Sequence, residues 1–98
     1  MKSHLINSIS RTQVVVCLGG FLTTVHRPTL VATGDDPDLL KDLEMESEDG
    51  IEFAIILQST LKVVVPEEFN PFVHESGHRG MRLSELVERL QHFAPVCE

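Results

Sequence analysis

Ninety-eight residues hold one domain with a modest core and leave no room for a separate catalytic domain. Hydrophobic residues at 42% and charged residues at 23% are ordinary for a globular chain, so neither disorder nor a membrane class is indicated. A formal charge of -7 argues against a nucleic-acid partner, whose phosphates attract clustered Lys and Arg, and favours partners with basic surfaces.

In chain order, Lys2 and Arg11 precede an apolar run over residues 14–22 that has the look of a signal-peptide core. No small-x-small cleavage site follows, Val16 before Cys17 does not suit lipoprotein processing, and the run is too short to span a membrane. The expectation is a buried segment of a cytoplasmic protein. Locally, Val14-Val15-Val16-Cys17-Leu18, Gly19-Gly20 and Phe21-Leu22-Thr23-Thr24-Val25 read as a β-hairpin around a Gly-Gly turn. Read as a helix, Val14, Leu18, Phe21 and Val25 share a face, but each central glycine costs about 1 kcal/mol. Local rules prefer the hairpin and leave the helix open. Cys17 and Cys97 show no metal-ligand spacing and are expected as free thiols.

Residues 27–46, with Pro28, Gly34 and Pro37, predict a long loop. Nine of the fifteen acids (Asp35, Asp36, Asp38, Asp42, Glu44, Glu46, Glu48, Asp49 and Glu52) fall in residues 35–52, where Lys41 is the only base. By composition alone such a run is a solvated face. A helix over 47–61 follows, with Ser47 as the expected N-cap and Glu48, Asp49 and Glu52 complementing the helix dipole. Ile51, Phe53, Ala54, Ile55, Ile56, Leu57 and Leu61 make it apolar around most of its circumference, which predicts a central place in the core. Pro66 ends the connection after it and opens a short helix through Glu67, Glu68 and Phe69, whose length Asn70 and Pro71 limit. A last helix over 82–93 is read from Leu83, Leu86, Val87, Leu90 and Phe93 at helical spacing, stopped by Pro95.

Between the last two lies His74-Glu75-Ser76-Gly77-His78, an H-E-x-x-H match. On a helix this motif puts two imidazoles on a zinc ion with the glutamate as general base. A third protein ligand is missing. Met81 and Ser84 hold the positions where a metzincin has glycine and its third histidine, and Glu85, Glu88 and His92 lie too close for a more distant glutamate. Gly77 and Gly80 also weaken any helix. A chance match in a loop is the expectation, with a zinc hydrolase, or incidental metal on His74 and His78, as the distant alternative.

Across residues 39–68 the chain resembles the acyl carrier protein family. Members read D-L-G-x-D-S-L-D, then an aliphatic helix, then I-P-x-E. Here Asp42-Leu43-Glu44-Met45-Glu46-Ser47-Glu48-Asp49 takes the first place, and Val65-Pro66-Glu67-Glu68 closes a span of similar length and hydrophobic order. The resemblance implies an all-α fold, a small four-helix bundle with helices at about 10–26, 47–61, 67–72 and 82–93 and a long loop between the first two. It thereby selects helix over hairpin for the first segment.

The same resemblance implies a carrier rather than an enzyme. A phosphopantetheinyl transferase moves 4'-phosphopantetheine from coenzyme A to the serine, and the arm's thiol carries acyl groups as thioesters in fatty-acid, polyketide or related biosynthesis. Carried over residue by residue, Ser47 is the attachment site, Glu46 replaces the aspartate before it, and Glu52 matches an acidic recognition position. Glu46, Glu48, Asp49 and Glu52 would meet basic surfaces on the transferase and on acyl-transferring or condensing enzymes. Ile51, Ile55, Phe69 and Leu86 are the candidates for lining a shelter for the acyl chain.

The chain departs from the pattern in several places. Glu48 stands where leucine is usual and Glu44 where glycine is common. Gln58, Ser59 and Thr60 leave the far end of the second helix less acidic, and extra residues around 74–80 separate the third and fourth helices. These departures imply a specialised carrier with its own enzymes; the charge and the short apolar run give the further expectation of a partner set without nucleic acid or membrane, and a monomer is expected. The alternative is a carrier fold without a prosthetic group, an acidic interaction module in which Ser47 only caps a helix.

Overall fold

A computed structural model describes residues 7–24 and 36–96 of the chain. Helix α1 spans Arg11–Thr24, α2 spans Ser47–Leu61 and α3 spans Leu83–Leu90. No strand occurs among the described residues. The extended segments meet only in isolated antiparallel bridges, Asp38 with Arg82, Val63 with Pro95 and Val73 with Gly80.

The first segment is a helix, not a hairpin. Its start is closed by a reciprocal cap, in which the Gln13 N–H donates to Ser10 Oγ at 3.2 Å and the Ser10 N–H donates to Gln13 Oε1 at 2.8 Å. Val14, Cys17, Leu18, Phe21 and Leu22 form its buried stripe. Burial of that stripe outweighs the local penalty of Gly19 and Gly20, because a short helix draws its stability from tertiary packing. The expected continuation over residues 25–26 lies outside the described residues, as do residues 27–35 of the loop.

α1 is the hub, packing against both α2 and α3. Phe21 on α1, Phe53 on α2 and Phe72 meet at its centre, with ring centroids 5.2 Å apart for Phe21–Phe53 and 5.4 Å for Phe53–Phe72. Leu18, Leu22, Leu39, Leu57, Leu83, Leu86 and Leu90 complete the fully buried shell around them. α2 does not sit centrally as its composition suggested. Only Gly50, Phe53 and Leu57 on it are buried, since a helix flanking a hub has one inward stripe.

The predicted helix over 67–72 is replaced by two successive turns. The Phe69 N–H donates to Pro66 O at 3.0 Å and the Val73 N–H to Asn70 O at 3.2 Å. Asn70 draws the Phe72 N–H onto its side-chain oxygen at 2.9 Å, and Pro71 has no N–H to give, so the helical ladder has no donors to continue. The last helix is also shorter than expected. Beyond Leu90 the chain tightens, with the Phe93 N–H donating to Leu90 O at 3.2 Å. The Asn7 side-chain amide donates to Leu90 O at 2.8 Å and Phe93 O at 2.9 Å, which satisfies carbonyls at that helix end.

The described part of the loop, 36–46, is ordered by its own aspartates. Asp38 Oδ1 accepts from the Leu40 and Lys41 N–H groups at 3.0 and 2.9 Å, and the Asp38 N–H donates to Asp42 Oδ2 at 2.9 Å. Near the far end, residues 62–64 hold the C-terminal segment through the Val64 N–H to Ala94 O at 2.7 Å and the Val96 N–H to Lys62 O at 2.8 Å. Among the described residues, no helix is long and apolar enough to cross a membrane.

Glu44 leaves the turn at φ 55°, in the left-handed region. That conformation costs an L side chain about 1–2 kcal/mol, which exceeds the extra chain entropy that glycine brings to the unfolded state. Glu44→Gly is therefore expected to raise the unfolding free energy by about 0.5–1 kcal/mol, read as a higher urea midpoint. A lower midpoint would show that the Glu44 side chain contributes more than the strain it causes.

Candidate functional site

The start of α2 is built by its neighbours rather than by Ser47. Glu46 is the N-cap, in extended conformation at φ -112° and ψ 164°. Its N–H donates to Asp49 Oδ2 at 2.9 Å, and the Asp49 N–H returns to Glu46 O at 3.0 Å. Ser47 is thus the first helical residue, one place further on than expected. It is exposed, and its hydroxyl makes no hydrogen bond among the described residues.

The Ser47 carbonyl, by contrast, is anchored. It accepts from Asn70 Nδ2 at 2.9 Å, while the other end of that amide holds Phe72. Gly50 lies buried directly beneath, and a Cβ there would land well inside the Asn70 side-chain amide. Neither Asn70 nor Gly50 is a candidate site residue on the sequence alone. The available signal was a glycine inside an otherwise good helix, which often marks a close approach by another group.

The acidic run divides by job. Both carboxylate oxygens of Asp36 bind Ser84 in the first turn of α3, accepting from its N–H at 2.7 Å and its hydroxyl at 2.9 Å. Asp38 and Asp42 hold the loop, and Asp49 closes the α2 cap. Glu46, Glu48 and Glu52 are exposed around Ser47. Asp35 lies outside the described residues.

Ile51 and Ile55 do not line an interior shelter. They are 60% and 67% exposed, because the inward stripe of α2 belongs to Gly50, Phe53 and Leu57. Ser47, Ile51 and Ile55 stand four residues apart, which places them along one outer face. Leu86 has no exposure and belongs to the core. Phe69 is half-buried, edge-to-face with Phe93 at 5.0 Å, and the Arg89 guanidinium lies 5.6 Å from its ring centroid. Ile55 borders a shallow surface groove with Gln58, Ser59, Lys62 and Val96, and Phe69 borders a separate, more enclosed one. This groove holds about 290 Å³ and runs past Pro66, Asn70, Val73, Glu75 and Arg89.

The H-E-x-x-H segment is a tight turn, not a helix. The His74 N–H donates to Arg79 O at 2.9 Å, and Gly77 takes φ 78° at the tip. His74 Nδ1 accepts from the Ser76 N–H at 3.1 Å, and its Nε2 lies 4.0 Å from Glu85 Oε2. His78 is exposed. The two imidazoles therefore lack the one-face helical placement that the H-E-x-x-H motif relies on, and no group of three or more His, Cys, Asp or Glu among the described residues is placed to hold a metal.

Two ion pairs tie this turn to α3. Arg79 meets Glu85 through paired hydrogen bonds of 3.1 and 2.7 Å, and Arg89 pairs with Glu75. The Arg79 hydrogen bond, helped by the Arg82 N–H, pulls the Glu85 carboxyl from an ordinary 4.5 to about 2. The same contact raises Arg79. On α1, burial pushes the Cys17 thiol up, against a smaller opposing effect of its hydrogen bond with Thr60.

Gly50→Ala is expected to destabilise the protein by about 1–3 kcal/mol, because Asn70 must give way. The same change in an open helix gains about 1 kcal/mol. In an Asn70→Ala background it should become stabilising, and urea unfolding of the four proteins measures the coupling; additive effects would sink the Asn70 contact. Glu85 supplies a second test. Because its carboxyl is depressed, its contribution is complete above about pH 4.5 and is lost as pH falls toward 2. Solvent screening keeps it small. Glu85→Gln should therefore lower the thermal midpoint at neutral pH, with the gap closing in acid, whereas a gap constant with pH speaks against the pair. No protein-family model matches the chain, and comparisons with curated proteins and with solved structures find no match.

Proposed function

We propose that this chain is a specialised acyl carrier, modified at Ser47 with 4'-phosphopantetheine from coenzyme A. The observation that carries this reading is the outer face of α2. It presents a serine hydroxyl without a hydrogen-bond partner among the described residues, then exposed Ile51 and Ile55, with the exposed carboxylates of Glu48 and Glu52 on the same helix. A serine that merely capped the helix would have its oxygen tied to the backbone. Here Glu46 and Asp49 close the cap and leave Ser47 to other uses. Apolar side chains on an otherwise charged face gain from burial only when a partner covers them.

The residues at the site fit a phosphodiester on Ser47. The first turn of a helix directs unpaired backbone N–H groups and the positive end of its dipole outward, which favours a phosphate there. Among the described residues no general base lies on Ser47, so in this reading the transferase supplies one. The Ser47 oxygen would bond the phosphorus of the pantetheine phosphate, the diphosphate bridge of coenzyme A would break, and adenosine 3',5'-bisphosphate would leave. Once attached, the arm's thiol holds acyl groups as thioesters. Glu46, Glu48 and Glu52 would steer enzymes with basic surfaces, and Ile51 and Ile55 would supply the apolar contact that completes docking.

The test is an intact mass. After incubation with coenzyme A and a broad-specificity phosphopantetheinyl transferase, the wild type is expected to gain one phosphopantetheine and Ser47→Ala none. No gain across several transferases would leave the acidic interaction module as the function of this face. A gain that persists in Ser47→Ala would move the site elsewhere.

A further inference from the structure

We propose that the arm on Ser47 rests in the groove between residues 66–75 and α3, outside the helical core; this rests on the carrier reading above. The interior behind α2 is closed, since Phe53, Leu57, Phe72 and Leu86 are packed there with no exposure. The groove, about 290 Å³, is open and begins at Asn70, the residue whose amide holds the Ser47 carbonyl at 2.9 Å. A chain tethered at the start of α2 therefore meets this groove without any core side chain having to move.

The lining matches the arm's chemistry. Pro66, Phe69 and Val73 give an apolar floor for its methyl and methylene groups. Glu68 and Glu75 offer carboxylates to its amide N–H groups. Arg89 pairs with Glu75 through one guanidinium nitrogen, so further N–H groups remain on that fork to meet amide carbonyls. Two carboxylates against one guanidinium disfavour a free carboxylate or phosphate in the same place, whereas a neutral chain with two amides meets no such repulsion. His74 and Glu75 wall the groove from the turn at 73–80. That turn is the part of the chain with no counterpart in the carrier pattern, so this seat would be particular to this protein.

Isotope-filtered NMR tests the assignment directly. Isotope-labelled protein is loaded with an unlabelled arm from coenzyme A, and the mass gain is checked before the spectra are taken. The expected result is a set of NOEs from the arm's geminal methyls to the Phe69 ring and the Val73 methyls, lost in Phe69→Ala. NOEs confined to residues beside Ser47, or reaching Phe53 and Leu57 in the core, would overturn the groove while leaving the carrier reading intact. Absence of any mass gain removes the carrier reading and the groove with it.

Discussion

The contact between the Asn70 amide and the first turn of α2 decides how the two halves of the molecule meet. One end of that amide holds the Ser47 carbonyl and the other holds the Phe72 N–H, whose side chain stacks on Phe53 in the core. A single short side chain thus couples the exposed start of α2 to the packed centre. The coupling requires a glycine at position 50, because any larger residue would occupy the space the amide fills. The same amide prevents residues 67–72 from becoming a helix, and the resulting turns form one wall of the groove beside α3. The placement of the Ser47 backbone therefore depends on a residue 23 positions away in the chain.

Charge is distributed by the same logic of local satisfaction. Aspartates, with short side chains suited to backbone N–H groups, take the structural posts at the α3 start, the 38–42 turn and the α2 cap. Glu46, Glu48 and Glu52, with longer and more mobile side chains, stand in solvent near Ser47. The acidic run is neither a uniform solvated face nor a uniform recognition surface. Asp36, Asp38, Asp42 and Asp49 shape the scaffold, and these glutamates give the exposed face its field.

The helices were legible where periodicity and caps agreed. α2 and α3 fall within their expected spans, and α1 is found where local rules preferred a hairpin, because the burial of Val14, Leu18, Phe21 and Leu22 is a tertiary effect that two glycines mask. Around 67–72 the sequence carries opposed signals, Pro66 favouring a helix and Asn70 and Pro71 limiting it; that Asn70 takes the Phe72 N–H and leaves only turns depends on Phe72 being in the core. Ser47 stands out in the sequence by its surroundings, and the capping role expected of it is taken by Glu46. Ile51 and Ile55 were assigned inward because an apolar helix has no outside until its neighbours are known. Nothing in their spacing distinguishes them from Phe53 and Leu57.

The burial of Cys17 has a bearing on chemical selectivity. A protein that holds cargo as a thioester is exposed to transfer of that cargo onto its own sulfur, a reaction that requires an accessible thiolate. Cys17 faces the core, and its thiol is pushed toward the protonated form, so at neutral pH it is a poor acceptor as well as a shielded one. Were Ser47 to carry a thioester as proposed, the packing that seats α1 would also keep this sulfur from capturing the cargo.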